Sequence, residues 1–210
     1  MRVLVACEYS GAVRDAFRAR GHDAMSCDLL PTDVPGPHYQ GDVFDVIGDG
    51  WDLMIAHPPC TYLSSSGLHW NGRVEGRAAK TEDALAFVRA LLDAPIPRIA
   101  VENPVGCIGT RIRKADQTIQ PHQFGDDASK ATCLWLKDLP LLTPTASVPG
   151  RMVNGKPRWA NQTDGGQNRL APSADRWKLR SATFPGIAAA MADQWGDPDA
   201  ALPLLKGLAA

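Results

Sequence analysis

The chain predicts an α/β domain built on a mostly parallel sheet, and three observations lead there. Short β-branched apolar runs alternate with segments of helical pattern along the first 136 residues. The notable polar residues stand directly after those apolar runs, where sheets of this kind bind ligands. A length of 210 residues, 44% hydrophobic and 21% charged, suits one domain with an ordinary core.

The elements follow in order. Residues 2–8 (RVLVACE) form a buried first strand that ends at YSG. Residues 11–20 form a short helix, with Val13 and Phe17 four apart and Gly21 as its stop. Residues 22–30 (HDAMSCDLL) are a second strand ending near Asp28, the layout of a nucleotide-binding unit. Residues 31–40 are a Pro- and Gly-rich loop leading to Asp42, and residues 51–56 are the next strand. Residues 81–92 set Ala84, Phe87, Val88, Leu91 and Leu92 on one helical face. Strands follow at 98–101, ending in Glu102-Asn103-Pro104, and at 132–136. From 139 to 181 no periodicity lasts, and residues 184–195 return to helix. The division expected is a core over 1–138, a small basic loop-rich region over 139–181, and a returning helix and tail over 182–210.

Composition bounds the function. No run approaches the roughly 18 apolar residues a membrane span needs. A buried strand explains MRVLVACEYSG better than a signal peptide does. Five widely spaced cysteines with no CxxC pair point to free thiols in a reducing compartment. Net charge is −1, yet residues 151–180 carry seven Lys/Arg against two Asp. That basic stretch, with Trp159 and Trp177, reads either as a phosphate-facing surface or as a small subdomain with a solvated rim.

Four strand ends carry the candidate chemistry: residues 8–11, Asp28, residues 57–60 and residues 102–104. In a parallel sheet they converge on one cleft. Cys60 follows Pro58 and Pro59, whose fixed φ stiffens the turn. Alone, Cys60 is either a nucleophile or a small buried thiol. Glu102, on a neighbouring strand, is either a proton donor or a structural ion-pair partner. Together they supply what adding a thiol across the C5–C6 bond of a pyrimidine requires: attack at C6 and an acid at N3. His57 and Cys60 form H-x-x-C, but no second compact ligand pair accompanies them, so no metal site is expected.

On these residues the chain resembles the DNA cytosine-C5 methyltransferase family, in particular its short phage-type members. Pro58, Pro59, Cys60, Ser64 and Gly67 match the family's Pro-Pro-Cys motif, and Glu102-Asn103 match its Glu-Asn-Val motif with Pro104 in place of Val. The resemblance implies a Rossmann-like S-adenosylmethionine-dependent methyltransferase fold, with Cys60 attacking C6 and Glu102 engaging N3 of a cytosine in DNA. It implies S-adenosyl-L-methionine as cofactor, held by Glu8, Ser10, Gly11, Asp28, Asp42 and Pro58. Lys130 would stand in for an arginine of the site. Pro59, Ser64, Asn103, Arg158, Arg176 and Arg180 would meet the substrate. DNA is then the partner, flipped from a duplex or single-stranded, in the cytoplasm of a bacterium or phage-infected host, with no membrane and no metal. The chain departs from the family in keeping only Gly11 of the glycine loop and in placing His57 where glycine is general. Three rivals remain at this stage: C5 modification of a free cytidine nucleotide or from a modified donor, an amino methyltransferase, and a non-catalytic DNA-binding relative.

Overall fold

The computed structural model describes residues 1–174 and 176–197. Its order is β1 (Arg2–Ala6), α1 (Ala12–Arg18), β2 (Asp23–Asp28), β3 (His38–Gln40), β4 (Leu53–Ala56), α2 (Ser65–Leu68), α3 (Arg77–Leu92) and β5 (Arg98–Pro104). There follow α4 (Ile108–Arg111), β6 (Gln117–Ile119), β7 (Thr132–Lys137), β8 (Arg151–Val153), β9 (Lys156–Arg158), α5 (Arg176–Ser181) and α6 (Pro185–Trp195). Seven strands form one sheet in the order β3-β2-β1-β4-β5-β7-β6. Only β7 runs against its neighbours β5 and β6, while β1 to β5 pair in parallel.

The sheet buries both faces because its central strands are apolar on both. In β1, Val3 and Val5 face α1 and α6, packing with Val13, Phe17, Ile187, Met191 and Trp195. Leu4 and Ala6 face α3, packing with Leu85, Val88 and Leu91. Period-two alternation assigns each residue its layer. Pro185 opens α6 at its first turn, where no backbone donor is missed. The helix then closes the sheet from the α1 side.

Several elements differ from the sequence expectation. The expected loop 31–40 contributes β3 as an edge strand, with Ser26 opposite His38. The supposedly aperiodic 139–181 holds the β8–β9 hairpin and α5, and α4 and β6 lie in a stretch read without elements. These pieces have three to six residues each, too few for a period to register. The helix expected over 81–92 begins at Arg77, and the tail beyond 197 lies outside the described residues.

One buried cation organises the loop between β2 and β3. Arg14 is fully buried. Its Nε donates to Asp15 at 2.7 Å, and Nη1 donates to Ser26 at 3.2 Å and Thr32 at 3.3 Å. Nη2 donates to the carbonyls of Val34 and Pro35 at 3.3 and 3.4 Å. Gly11, at φ 74°, lies against this guanidinium, and a Cβ there would come 2.5 Å from Nη2. Replacing Arg14 with Leu removes these bonds from a buried site, so the urea unfolding midpoint should fall by an amount equal to about 1–3 kcal/mol. An unchanged midpoint would show that the loop finds other donors.

Candidate active site

The strand order reverses between β1 and β4, and ligands of open α/β sheets bind at that point beyond the carboxyl ends. Here the chain leaves β1 through Cys7, held in a left-handed turn at φ 58°. It leaves β4 through His57, Pro58, Pro59 and Cys60. The exit from β4 has no regular structure of its own and is fastened to β5 instead. Asn103 Nδ2 donates to the Pro58 carbonyl at 2.7 Å. Further along, Cys107 N donates to Leu63 O at 2.9 Å and Ser65 N to Val105 O at 3.0 Å. Gly106 makes that approach possible, since a Cβ there would lie 1.9 Å from Leu63 O.

Two cavities and a groove open around this fastened loop. The larger cavity, about 440 Å³, lies over the ends of β1 and β2 and against α3. Asp28, Asp42, Asp83 and Lys80 supply its polar groups, and Leu29, Val43, Pro58 and Phe87 its apolar wall. Burial pushes the Asp28 carboxyl up, while the Leu30 N–H, donating at 2.9 Å, opposes that. Asp42 caps the turn that follows, accepting from Phe44 N at 3.0 Å. An apolar cavity of this volume with carboxylates in its lining suits a nucleoside-sized ligand.

The smaller cavity, about 110 Å³, shares the Cys7, Pro58 and Pro59 wall with the larger one. Cys60, His57, Glu102, Asn103, Lys130 and Arg180 surround it. Among the cysteines, Cys60 is the exposed one. Cys27, Cys107 and Cys133 are buried, and burial drives the Cys7 thiol far above its ordinary value. Glu102 is buried with 8% of its side chain exposed, and His57 Nδ1 lies 2.8 Å from its Oε2. Burial alone would lower the His57 pKa, but the hydrogen bond and charge of Glu102 outweigh it and raise it. Burial likewise favours the protonated Glu102, and the paired imidazole more than reverses this, holding the carboxyl below its usual range.

The groove, about 1010 Å³, runs outward from Cys60 between α2 and the 139–181 region. Arg77, Lys130, Arg169 and Arg180 line it with no carboxylate among the described residues, and Trp70 and Trp177 stand at its sides. Lys130 is set by its surroundings. Gln120 Oε1 accepts from its N–H at 2.9 Å, and Asn161 brackets the preceding Ser129 with two bonds of 2.9 Å.

The residues expected to hold a cofactor therefore divide. Asp28, Asp42 and Pro58 line the larger cavity. Glu8 and Ser10 line the smaller one, and Gly11 lines neither. The Glu8 carboxylate is engaged as a helix cap, accepting from Val13 N at 2.7 Å and Arg14 N at 3.3 Å. Of the substrate set, Pro59, Asn103 and Arg180 line the smaller cavity, and Ser64 and Arg180 line the groove. Arg158 and Arg176 line none of the three. Arg158 turns back on its own hairpin, donating to the Asp164 and Pro157 carbonyls at 3.0 Å each. Sequence reasoning overlooked Gly106, Arg77 and the partner of His57. The Val-Gly-Cys that follows Glu-Asn-Pro was the available signal for the first.

The sheet order, reversing between β1 and β4 and carrying one antiparallel strand, is a Rossmann-like α/β arrangement. No family model and no curated protein matches the sequence. Among solved structures, the chain is similar to a prophage-encoded protein of E. coli described as a candidate DNA modification methyltransferase. The TM-score is 0.48 at 13% identity, over 71% of this chain and 52% of that one. A 16S rRNA methylase, RmtB, gives a TM-score of 0.35 at 16% identity, over 65% of this chain and 55% of that one. The chain thus spans little more than half the length of either. Among the described residues no helix is long and apolar enough to cross a membrane, and no group of three or more His, Cys, Asp or Glu is placed to hold a metal ion.

The exposures make a direct prediction about the thiols. In the folded protein one equivalent should react rapidly with a disulfide reagent, and Cys60→Ser should abolish that phase. Rapid labelling that survives the substitution would show another cysteine to be the accessible one.

Proposed function

We propose that the protein methylates C5 of cytosine in DNA, with S-adenosyl-L-methionine as donor and a covalent bond between Cys60 and C6. The observation supporting this is the meeting of an exposed thiol and a buried carboxyl on one small cavity, divided by Pro58 and Pro59 from a nucleoside-sized one. Asp28 and Asp42 would hold the ribose and adenine ends of the cofactor, against Leu29, Val43 and Phe87. When bound, the cofactor supplies an electrophilic methyl group.

The chain's own residues do the rest. Cys60 Sγ bonds to C6 as a thiolate, and the C5–C6 pair moves into the ring. Glu102 gives a proton to N3, so that charge does not build up there, and C5 becomes the nucleophile. Lys130, which lines both the cavity and the groove, offers a point charge to the base oxygen. After methyl transfer the C5 proton leaves, the Sγ–C6 bond breaks, and N3 returns its proton.

DNA as substrate is supported by the groove, which is cationic in a chain of net charge −1. Trp70 and Trp177, 45% and 55% exposed beside it, offer stacking faces to unpaired bases. Taking a base out of a duplex costs a few kcal/mol, which a single strand avoids.

Incubation with DNA containing 5-fluorocytosine and S-adenosylmethionine tests the proposal, because fluorine at C5 cannot leave as a proton does. A covalent protein–DNA adduct should appear by intact mass and be lost in Cys60→Ala. Methylation of DNA that persists in Cys60→Ala would sink the covalent route.

A further inference from the structure

His57 has no task in the scheme above, although its setting is highly constrained. It follows β4 and stands between Glu8 after β1 and Glu102 in β5, the two strands that flank β4. Its Nδ1 is bound to Glu102 Oε2 at 2.8 Å, with only 12% of the His57 side chain and 8% of the Glu102 side chain exposed. Its Nε2 is buried with no hydrogen-bond partner among the described residues. The charged groups acting on it are Glu102, Glu8 and Lys130, with Lys130 opposing the other two. Cys7, Cys60 and Arg180 line the same cavity. Glu8 is already committed to the N–H groups of α1, so Glu102 is the imidazole's one hydrogen-bonded acid.

We infer that His57 is a positioning residue for Glu102: its Nδ1–H holds Oε2, leaves Oε1 for N3 of the pyrimidine, and makes the pair, rather than Glu102 alone, the store of the proton that N3 takes. This rests on the C5 reading above and deepens it.

The proton count closes without any further acid. The pair holds two protons: one stays in the Nδ1–Oε2 hydrogen bond, and the second, on Nε2 in the free protein, is given to water while Oε1 takes one from water as N3 comes to lie against it. As Sγ bonds to C6, the Oε1 proton passes to N3. The carboxylate left behind remains paired with Nδ1–H. When the Sγ–C6 bond breaks, N3 gives the proton back. Without this partner, burial alone would have to hold a proton on Glu102 against the charge of Lys130.

The sign of the pH dependence follows. The Glu102 hydrogen bond raises the His57 pKa, so the pair keeps its second proton past the ordinary imidazole range. Turnover should therefore hold below that raised value and fall as pH rises through it.

The test uses His57→Gln, which keeps a donor for Oε2 but has no proton to titrate, with His57→Asn as a second variant. Single-turnover methylation of DNA is followed across pH, beside imidazole titration of ¹⁵N-histidine-labelled protein. The alkaline limb should move to lower pH by about one unit or more in His57→Gln. The rate near pH 8 should fall on the order of 10²-fold, with a smaller loss at acid pH. Cys60 labelling at the wild-type rate confirms that the loop is intact. In the wild type the His57 imidazole should titrate above its ordinary value, and Glu102→Gln should lower it. If both His57 variants unfold, that last comparison decides alone. Superimposable pH profiles for wild type and His57→Gln, or an imidazole unmoved by Glu102→Gln, overturn the inference. A wild type that forms no adduct with 5-fluorocytosine DNA instead overturns the C5 reading, and this role with it.

Discussion

The hydrogen bond from Asn103 to the Pro58 carbonyl is the contact on which the site depends. Two prolines in a row give this stretch stiffness but no N–H with which to join a neighbouring strand. Its place must come from what its carbonyls accept, and Asn103 Nδ2, buried on β5, is the donor within reach. Leaving such a carbonyl unpaired costs about 1–3 kcal/mol, enough to free a short loop from one position. The same stretch is the partition between the two cavities, so one side-chain amide fixes both the thiol and the wall behind it.

That partition also explains why the sheet is built as it is. A parallel sheet brings every carboxyl end to one side, and the reversal of order at β1 and β4 splays the loops apart there. Cys7 adopts a left-handed turn as β1 ends, a conformation that costs a residue other than glycine of order 1 kcal/mol or more. The residue lines both cavities together with Pro58 and Pro59. On the far side, Gly106 lets β5's exit touch the backbone of Leu63, so the loop is held at both ends.

Much of this was legible in the sequence, and the limits have physical causes. The apolar runs of β1, β4 and β5 declare themselves because strands buried on both faces leave no room for polar alternation. Convergence of the strand ends followed from topology alone. Arg14 was not legible: it sits in a short helix beside Asp15 and Arg18, where a charged residue reads as solvent-facing, and its partners are mostly groups of a loop some twenty residues away. Glu8 looked like a ligand residue because it ends a strand, but a carboxylate just before a helix is equally a cap for that helix's N–H groups. Arg158 and Arg180 were indistinguishable as members of one basic stretch. A hairpin turns the first inward on its own carbonyls, while the end of α5 presents the second to the groove.

The distribution of charge carries the reasoning one step past the contacts. A net charge of −1 conceals a separation across the Pro58–Pro59 partition. Among the described residues, the larger cavity holds Asp28, Asp42 and Asp83 against Lys80 alone, whereas the groove holds four cations and no acid. Low-dielectric walls lessen the screening that would average such fields out in water. Cationic and anionic ligands are therefore drawn to opposite sides of one loop, and Cys60 stands on the groove side of it. The buried pair of His57 and Glu102 sits between these fields and is itself neutral when it carries both its protons.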